Sequence, residues 1–159
     1  MLETVAYEGG AAYCAAKAGE LQILVRRLGL WHCTEFLGTQ RDIPGILAHL
    51  DLVVLATTTH EAFGRVVVEA QAAGVPVVAT KVGGVIDIIE DGTNGLLVPP
   101  ADAKSMAEAI MRIFKDTQFA RELAQNAYAK VKEKYNIELM VKIEKEKDYS
   151  KGRCVSEVC

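Results

Sequence analysis

The chain has 159 residues, with 18 Lys and Arg against 21 Asp and Glu, for a formal net charge of −3. That length suits one domain of ordinary size and falls short of two. No run of about eighteen apolar residues is present to cross a membrane, no basic-then-apolar start marks a secretory signal, and the mild acidity argues against a general nucleic-acid binder, which needs a basic face.

Taken in chain order, residues 2–7 read as a strand, followed by the turn glycines Gly9 and Gly10 and an alanine-rich stretch. A helix is expected over 19–29, then a short strand over 33–37 that ends at Gly38. Residues 43–50 form a short helical segment capped by Arg41-Asp42, and 51–56 (DLVVLA) are a continuous apolar run, the pattern of a fully buried strand. Residues 64–73 carry three valines, but Glu69, Ala70, Gln71 and Ala72 and the stop at Gly74 predict a helix with a glycine cap. Residues 75–80 (VPVVAT) are another buried strand, with Pro76 tolerable only near its start. A short helix over 84–90 ends at Asp91-Gly92, and the strand 95–98 stops at Pro99-Pro100. Asp102 then caps an amphipathic helix with Ala103, Met106, Ala107, Ile110, Ile113 and Phe114 at helical spacing. A second helix over 117–135 places Phe119, Leu123, Ala127 and Val131 on one face. From about residue 142 the chain loses its apolar pattern and is expected to fray.

Strands alternating with helices predict an α/β fold, a Rossmann-like parallel sheet flanked by helices and followed by C-terminal helices. Ligands of such sheets bind at the C-terminal ends of the strands. Here those ends are the loops 38–39, 56–64 and 80–84. Neither GxGxxG nor GxxxxGK[ST] occurs, so a dinucleotide fingerprint and a P-loop are both excluded. The cysteines Cys14, Cys33, Cys154 and Cys159 form no CxxC pair and cluster with no histidine, which argues against zinc and for reduced thiols in a cytosolic protein. His32 and His49 read as surface residues, His60 as a solvated loop residue, and Trp31 as a packing residue.

The segment from Glu61 to Glu69 (EAFGRVVVE) carries the chemistry. Eight helical steps would separate its two carboxylates by about 12 Å, the scale of a sugar joined to a ribose through a diphosphate. Carboxylates accept hydrogen bonds from vicinal hydroxyls. Between them, Phe63, Gly64 and Arg65 open a helix whose N–H groups suit an anion, and Gly64 lets a phosphate approach the backbone. A hydroxyl–phosphate–hydroxyl ligand fits this order. Taken without their surroundings, the two glutamates also fit a helix-dipole and a solvated-face role.

Those surroundings are EAFGRVVVEAQAAGVPVVAT followed by KVGGVIDIIEDGTNGLLVPPAD. In order and spacing they resemble the C-terminal, donor-binding domain of retaining GT-B glycosyltransferases, the family-four or group 1 type. Upstream, CTEFLGTQRDIPGILAHLDLVVLAT extends the likeness, which covers about residues 20–136. The resemblance implies one half of a GT-B fold, with residues 1–18 as an incomplete first βα unit, 19–141 as the nucleotide-sugar-binding domain and 142–159 as a charged tail. By motif position, Glu61 faces the transferred sugar, and the N–H groups of Phe63, Gly64 and Arg65 meet the sugar or diphosphate. Glu69 holds the ribose, Gly38 and Thr39 lie near the base, and Gly83 and Gly84 line the same cleft. The implied reaction is glycosyl transfer with retention, from a nucleotide diphosphate sugar and without a metal.

The family pattern also has a Gly-Arg loop and a nearby Lys ahead of this region. No such pair stands upstream of residue 19, where Lys17 is the nearest base. Asp87 stands where the family usually has Glu, and Ile86 where it often has Pro. Residues 51–98 hold six acids (Asp51, Glu61, Glu69, Asp87, Glu90, Asp91) and two bases, Arg65 and Lys81. A diphosphate therefore needs cations from elsewhere. The expectation is a cytoplasmic donor-binding half, with peripheral attachment to a membrane left open, inactive alone and completed by a separate N-terminal half or by self-association. A non-catalytic nucleotide-sugar-binding or protein-interaction module is the alternative. A third, weaker reading is a different doubly wound domain such as a receiver, which would need a phosphoacceptor Asp that no strand end presents.

Overall fold

The computed structural model describes residues 11–38, 40–59, 61 and 63–135, with the backbone alone over 11–18. The strand expected at 2–7, the Gly9-Gly10 turn, His60, Thr39 and the tail from 142 lie outside the described residues, as do Cys154, Cys159 and the side chain of Cys14.

Among the described residues, six α-helices and three strands follow in the order α1 (Ala11–Arg27), α2 (Ile43–Leu47), β1 (Val53–Leu55), α3 (Arg65–Ala72), β2 (Val77–Thr80), α4 (Val85–Ile88), β3 (Leu96–Val98), α5 (Ala103–Lys115) and α6 (Thr117–Lys134). The strands form a parallel sheet in the order β1-β2-β3, in register Val53 to Val77 and Val78 to Leu96. The α/β architecture expected from the alternating pattern is the one observed.

The central strand explains the apolar run at 75–80. All four residues of β2 are buried, because both of its faces are covered. Its side chains alternate, so Val77 and Ala79 enter one core and Val78 the other. The first core adds Leu47, Val53, Val67, Ala70, Val85 and Ile88, which come from α2, β1, α3 and α4. The second adds Leu96, Val98, Ile113 and Leu123, from β3, α5 and α6.

Local signals set the helix ends. Asp42 accepts a hydrogen bond from Gly45 N–H at the start of α2, Asp102 from Ser105 N–H at α5, and Asp116 from Phe119 N–H at α6. Each satisfies a donor that the first helical turn leaves unpaired. Helix α3 ends as Gly74 predicts. Gly74 N–H donates to Gln71 O and Val75 N–H to Ala70 O, a Schellman closure that needs the positive φ of 73° at Gly74.

Four expectations change. Helix α1 is already formed at Ala11, well before residue 19, and runs to Arg27. Residues 33–37 form no strand. Trp31–Cys33 is a 3₁₀ turn, and Thr34 after it is extended but belongs to no sheet among the described residues. An extended segment becomes a strand only through a ladder partner, which its own sequence cannot name. On α5 the packed stripe is Met106, Ala109, Ile110 and Ile113, while Ala103, Ala107 and Phe114 face outward. Ala107 and Phe114 each follow a stripe residue and lie a step of about 100° around the helix. Trp31 is half exposed rather than packed inside. Its ring stacks on Phe36 at 6.2 Å, with the Arg26 guanidinium 4.6 Å from its centroid.

Candidate functional site

The loops after β1 and β2 meet. Gly84 N–H donates to the Glu61 carbonyl at 2.8 Å, which joins the two strand-end loops by one backbone bond. The approach is close enough to require glycine at position 83. Its φ is +48°, and a Cβ there would stand 2.1 Å from the Glu61 oxygen. On the next strand-end, Thr80 Oγ1 donates to Thr57 O at 2.6 Å and ties the end of β2 to the loop after β1.

Gly64 is buried, in the left-handed region at φ 73°, and turns the chain into α3. Glu61 is half-buried, and its Oε1 accepts a hydrogen bond from Gly64 N–H at 3.1 Å. A carboxylate thus already sits on an N–H at the opening of α3, where an anion is favoured. A Cβ on Gly64 would come within 3.2 Å of Val85 and 3.3 Å of Ile88, so α3 and α4 also pack closely at this point.

The helix starts only at Arg65. The two glutamates are therefore not eight helical steps apart, and the simple spacing of about 12 Å does not apply. Glu69 lies one turn into α3, half-buried, where Arg65 Nε reaches its Oε1 at 3.2 Å. Phe63 is half exposed, and its ring meets that of Tyr135 edge-on at 6.1 Å.

Glu61, Gly64, Gly83 and Gly84 are thus in direct contact; Phe63 precedes Gly64 in the loop, and Arg65 and Glu69 continue along α3. Gly38 is exposed with a φ of 63°, and no hydrogen bond among the described residues joins it to the Glu61 loop. Sequence reasoning missed Tyr135, which comes from the far end of α6. It also missed the buried pair Gln71 and Asn94. Gln71 Nε2 donates to Asn94 O, and Asn94 Nδ2 to Ile88 O, a carbonyl at the end of α4. A glutamine on the apolar side of a helix, followed by an asparagine in a DGTN turn, was the available signal. A surface depression lined by Glu108, Met111, Arg112, Lys115 and Asp116 on the outer side of α5 contains none of the candidate residues. Among the described residues, no three His, Cys, Asp or Glu side chains converge as a metal-ligand set.

A Rossmann-like sheet whose candidate site sits at the carboxyl ends of two adjacent strands places this chain among the nucleotide-binding α/β domains. More narrowly, residues 16–130 match the family model described as glycosyl transferases group 1, and the chain belongs to that family. An N-acetyl-alpha-D-glucosaminyl L-malate synthase of Bacillus anthracis is 34% identical over 118 residues, 74% of this chain and 31% of that protein. A D-inositol 3-phosphate glycosyltransferase of Salinispora arenicola is 38% identical over 106 residues, 65% of this chain and 23% of the relative. The chain therefore spans a third or less of these curated relatives. Among solved structures, HepE of Anabaena in complex with UDP superposes with a TM-score of 0.82 at 36% identity, over 86% of this chain and 38% of that one. HepE with UDP-glucose gives 0.81 at 38% identity, over 84% and 36%. The C-terminal domain of the group 1 protein LpcC from Francisella tularensis gives 0.70 at 34% identity, over 79% and 65%. The expected half of a GT-B fold is thus the fold of this chain.

Proposed function

We propose that the chain is the donor-binding part of a retaining glycosyltransferase and holds a nucleotide diphosphate sugar between the loops after β1 and β2. The contact of Glu61 with Gly84 and Gly64 carries this reading. It sets a carboxylate, a buried glycine N–H at a helix start and a second glycine loop around one point. Glu61 faces the transferred sugar. The N–H groups of Phe63, Gly64 and Arg65 serve the sugar or the diphosphate, and Glu69 accepts from the ribose hydroxyls. Gly83 and Gly84 wall the same cleft, and the loop at Gly38 and Thr39 lies near the base. HepE, similar in fold and over a third identical, binds UDP and UDP-glucose, which supports a uridine nucleotide as the first ligand to try.

In this reading the helix opening and nearby cations stabilise the leaving diphosphate, with no bound metal required. An acceptor-binding half completes the reaction, so the isolated chain binds donor without transferring sugar. Calorimetry with UDP, GDP and ADP, repeated on Glu69→Ala, tests the assignment. One nucleotide is expected to bind, and the variant to bind it about tenfold or more weakly, the scale of a charge-assisted hydrogen bond to a carboxylate. Equal heats for both proteins would remove the ribose role, and turnover by the lone chain would overturn the need for a second half.

A further inference from the structure

We infer that Tyr135, at the end of α6, is a positioning residue for the site: its ring braces Phe63 and holds that residue's N–H in place for the ligand without using it. The inference rests on the nucleotide reading above and deepens it. Phe63 stands between anchored neighbours. The Glu61 carbonyl accepts from Gly84 N–H, while Gly64 donates to the Glu61 carboxylate and accepts from Val67 N–H. Among the described residues, no hydrogen bond reaches the Phe63 backbone, and its side chain belongs to neither core. Its ring is met instead by that of Tyr135, at an interplanar angle of 82° with centroids 6.1 Å apart, an edge-to-face geometry that aromatic pairs favour. Such a contact restrains the residue through its side chain. A hydrogen bond from the N–H would restrain it by occupying the single backbone donor that the ligand needs.

Helix α6 delivers the ring. Leu123, Ala127 and Val131 are buried at intervals of four, and Tyr135 is the next step on that face. Its N–H donates to Val131 O at 2.8 Å, so the helical ladder extends to it. Helix α6 packs along α3, and its buried face ends at the loop that opens α3. Phe63 remains 49% exposed, so the brace steadies the loop without covering it. The adjacent Lys134 ammonium lies 5.7 Å from the Tyr135 centroid, and its charge has to be separated from the effect of the ring.

The test combines ¹⁵N relaxation with UDP titration on the full chain, for wild type, Tyr135→Ala, Tyr135→Leu, Tyr135→Phe, Val131→Ala and Lys134→Gln, with thermal melts showing which are folded. Tyr135→Leu, which keeps apolar bulk, supplies the result if Tyr135→Ala is unfolded. Loss of the ring is expected to lower the order parameter of the Phe63 amide from about 0.85 towards about 0.6. It is expected to weaken UDP binding about threefold to tenfold, the scale of an aromatic pair. Tyr135→Phe restores both. Val131→Ala alters the same helix face one turn away and leaves both unchanged, as does Lys134→Gln. An equal loss in Val131→Ala would mean general helix packing, an equal loss in Lys134→Gln a charge contact, and failure of Tyr135→Phe a hydroxyl contact. Each of these overturns the brace, as does an unchanged order parameter or an unchanged UDP affinity in the variants without a ring. If wild type binds no UDP but the order parameter still falls with the ring, the nucleotide reading fails and the brace stands.

Discussion

Gly83 shows how much of the site depends on a missing side chain. Its Cβ would fall 2.1 Å from the Glu61 carbonyl oxygen and 2.8 Å from the Glu61 nitrogen, at a φ of +48°. Backbone on the other side cannot swing aside as a side-chain tip can. Gly83→Ala is therefore expected to force the two loops apart, at a cost of about 2–4 kcal/mol in a thermal or denaturant melt, and to abolish nucleotide binding with it. Gly92 has an equally positive φ of +74° but meets nothing within 4 Å, so Gly92→Ala pays backbone strain alone, about 1 kcal/mol. Equal losses for the two variants would deny the close approach. That Glu61, Gly64, Gly83 and Gly84 are worth attention was legible because two short motifs at adjacent strand ends carry them. The Phe63–Tyr135 contact was not, since it joins a loop to the end of a helix on the other side of the sequence and neither residue announces a partner.

At the scale of elements, the helix caps were the most readable features. Asp42, Asp102 and Gly74 act through neighbours three positions away, so the sequence pattern contains both partners. Asp102 adds a measurable pH dependence. Hydrogen bonds from the Ser105 hydroxyl and then from the Ser105 backbone hold its carboxyl below the ordinary value of 3.8. Because the folded value is the lower one, the stabilisation from the charged cap is complete above 3.8 and is lost as pH falls below it through the folded value. Asparagine caps nearly as well but does not titrate there. Melting temperatures of wild type and Asp102→Asn are therefore expected to differ most above about pH 5 and to converge towards about pH 2. Parallel curves would contradict the shift. Where partners are distant the reading was poorer. The apolar stripe of α5 was drawn too wide at Ala103, Ala107 and Phe114, because periodicity marks a direction and only the neighbouring layer decides how much of it is covered.

Across the whole molecule, β2 organises everything else. It is buried on both faces, pairs with β1 and β3, and ends where the loops carrying Glu61 and Gly83–Gly84 converge. The first core under α3 and α4 fixes that convergence, and the second under α5 and α6 supports it from behind. None of the described side chains of helix α1 enters either core. Its Leu21, Ile23 and Leu24, and Leu28 just after it, remain exposed, so the helix expected at 19–29 came with no indication of what it packs against. The central claim is that one ligand site lies at the carboxyl ends of β1 and β2. Mapping of UDP by backbone amide shifts in a ¹⁵N-labelled chain tests it most directly. The largest shifts are expected at residues 63–69 and 83–85, with none at Glu108, Met111, Arg112, Lys115 and Asp116 on the outer side of α5. Shifts concentrated on that outer side, or no shifts at saturating UDP, would contradict it.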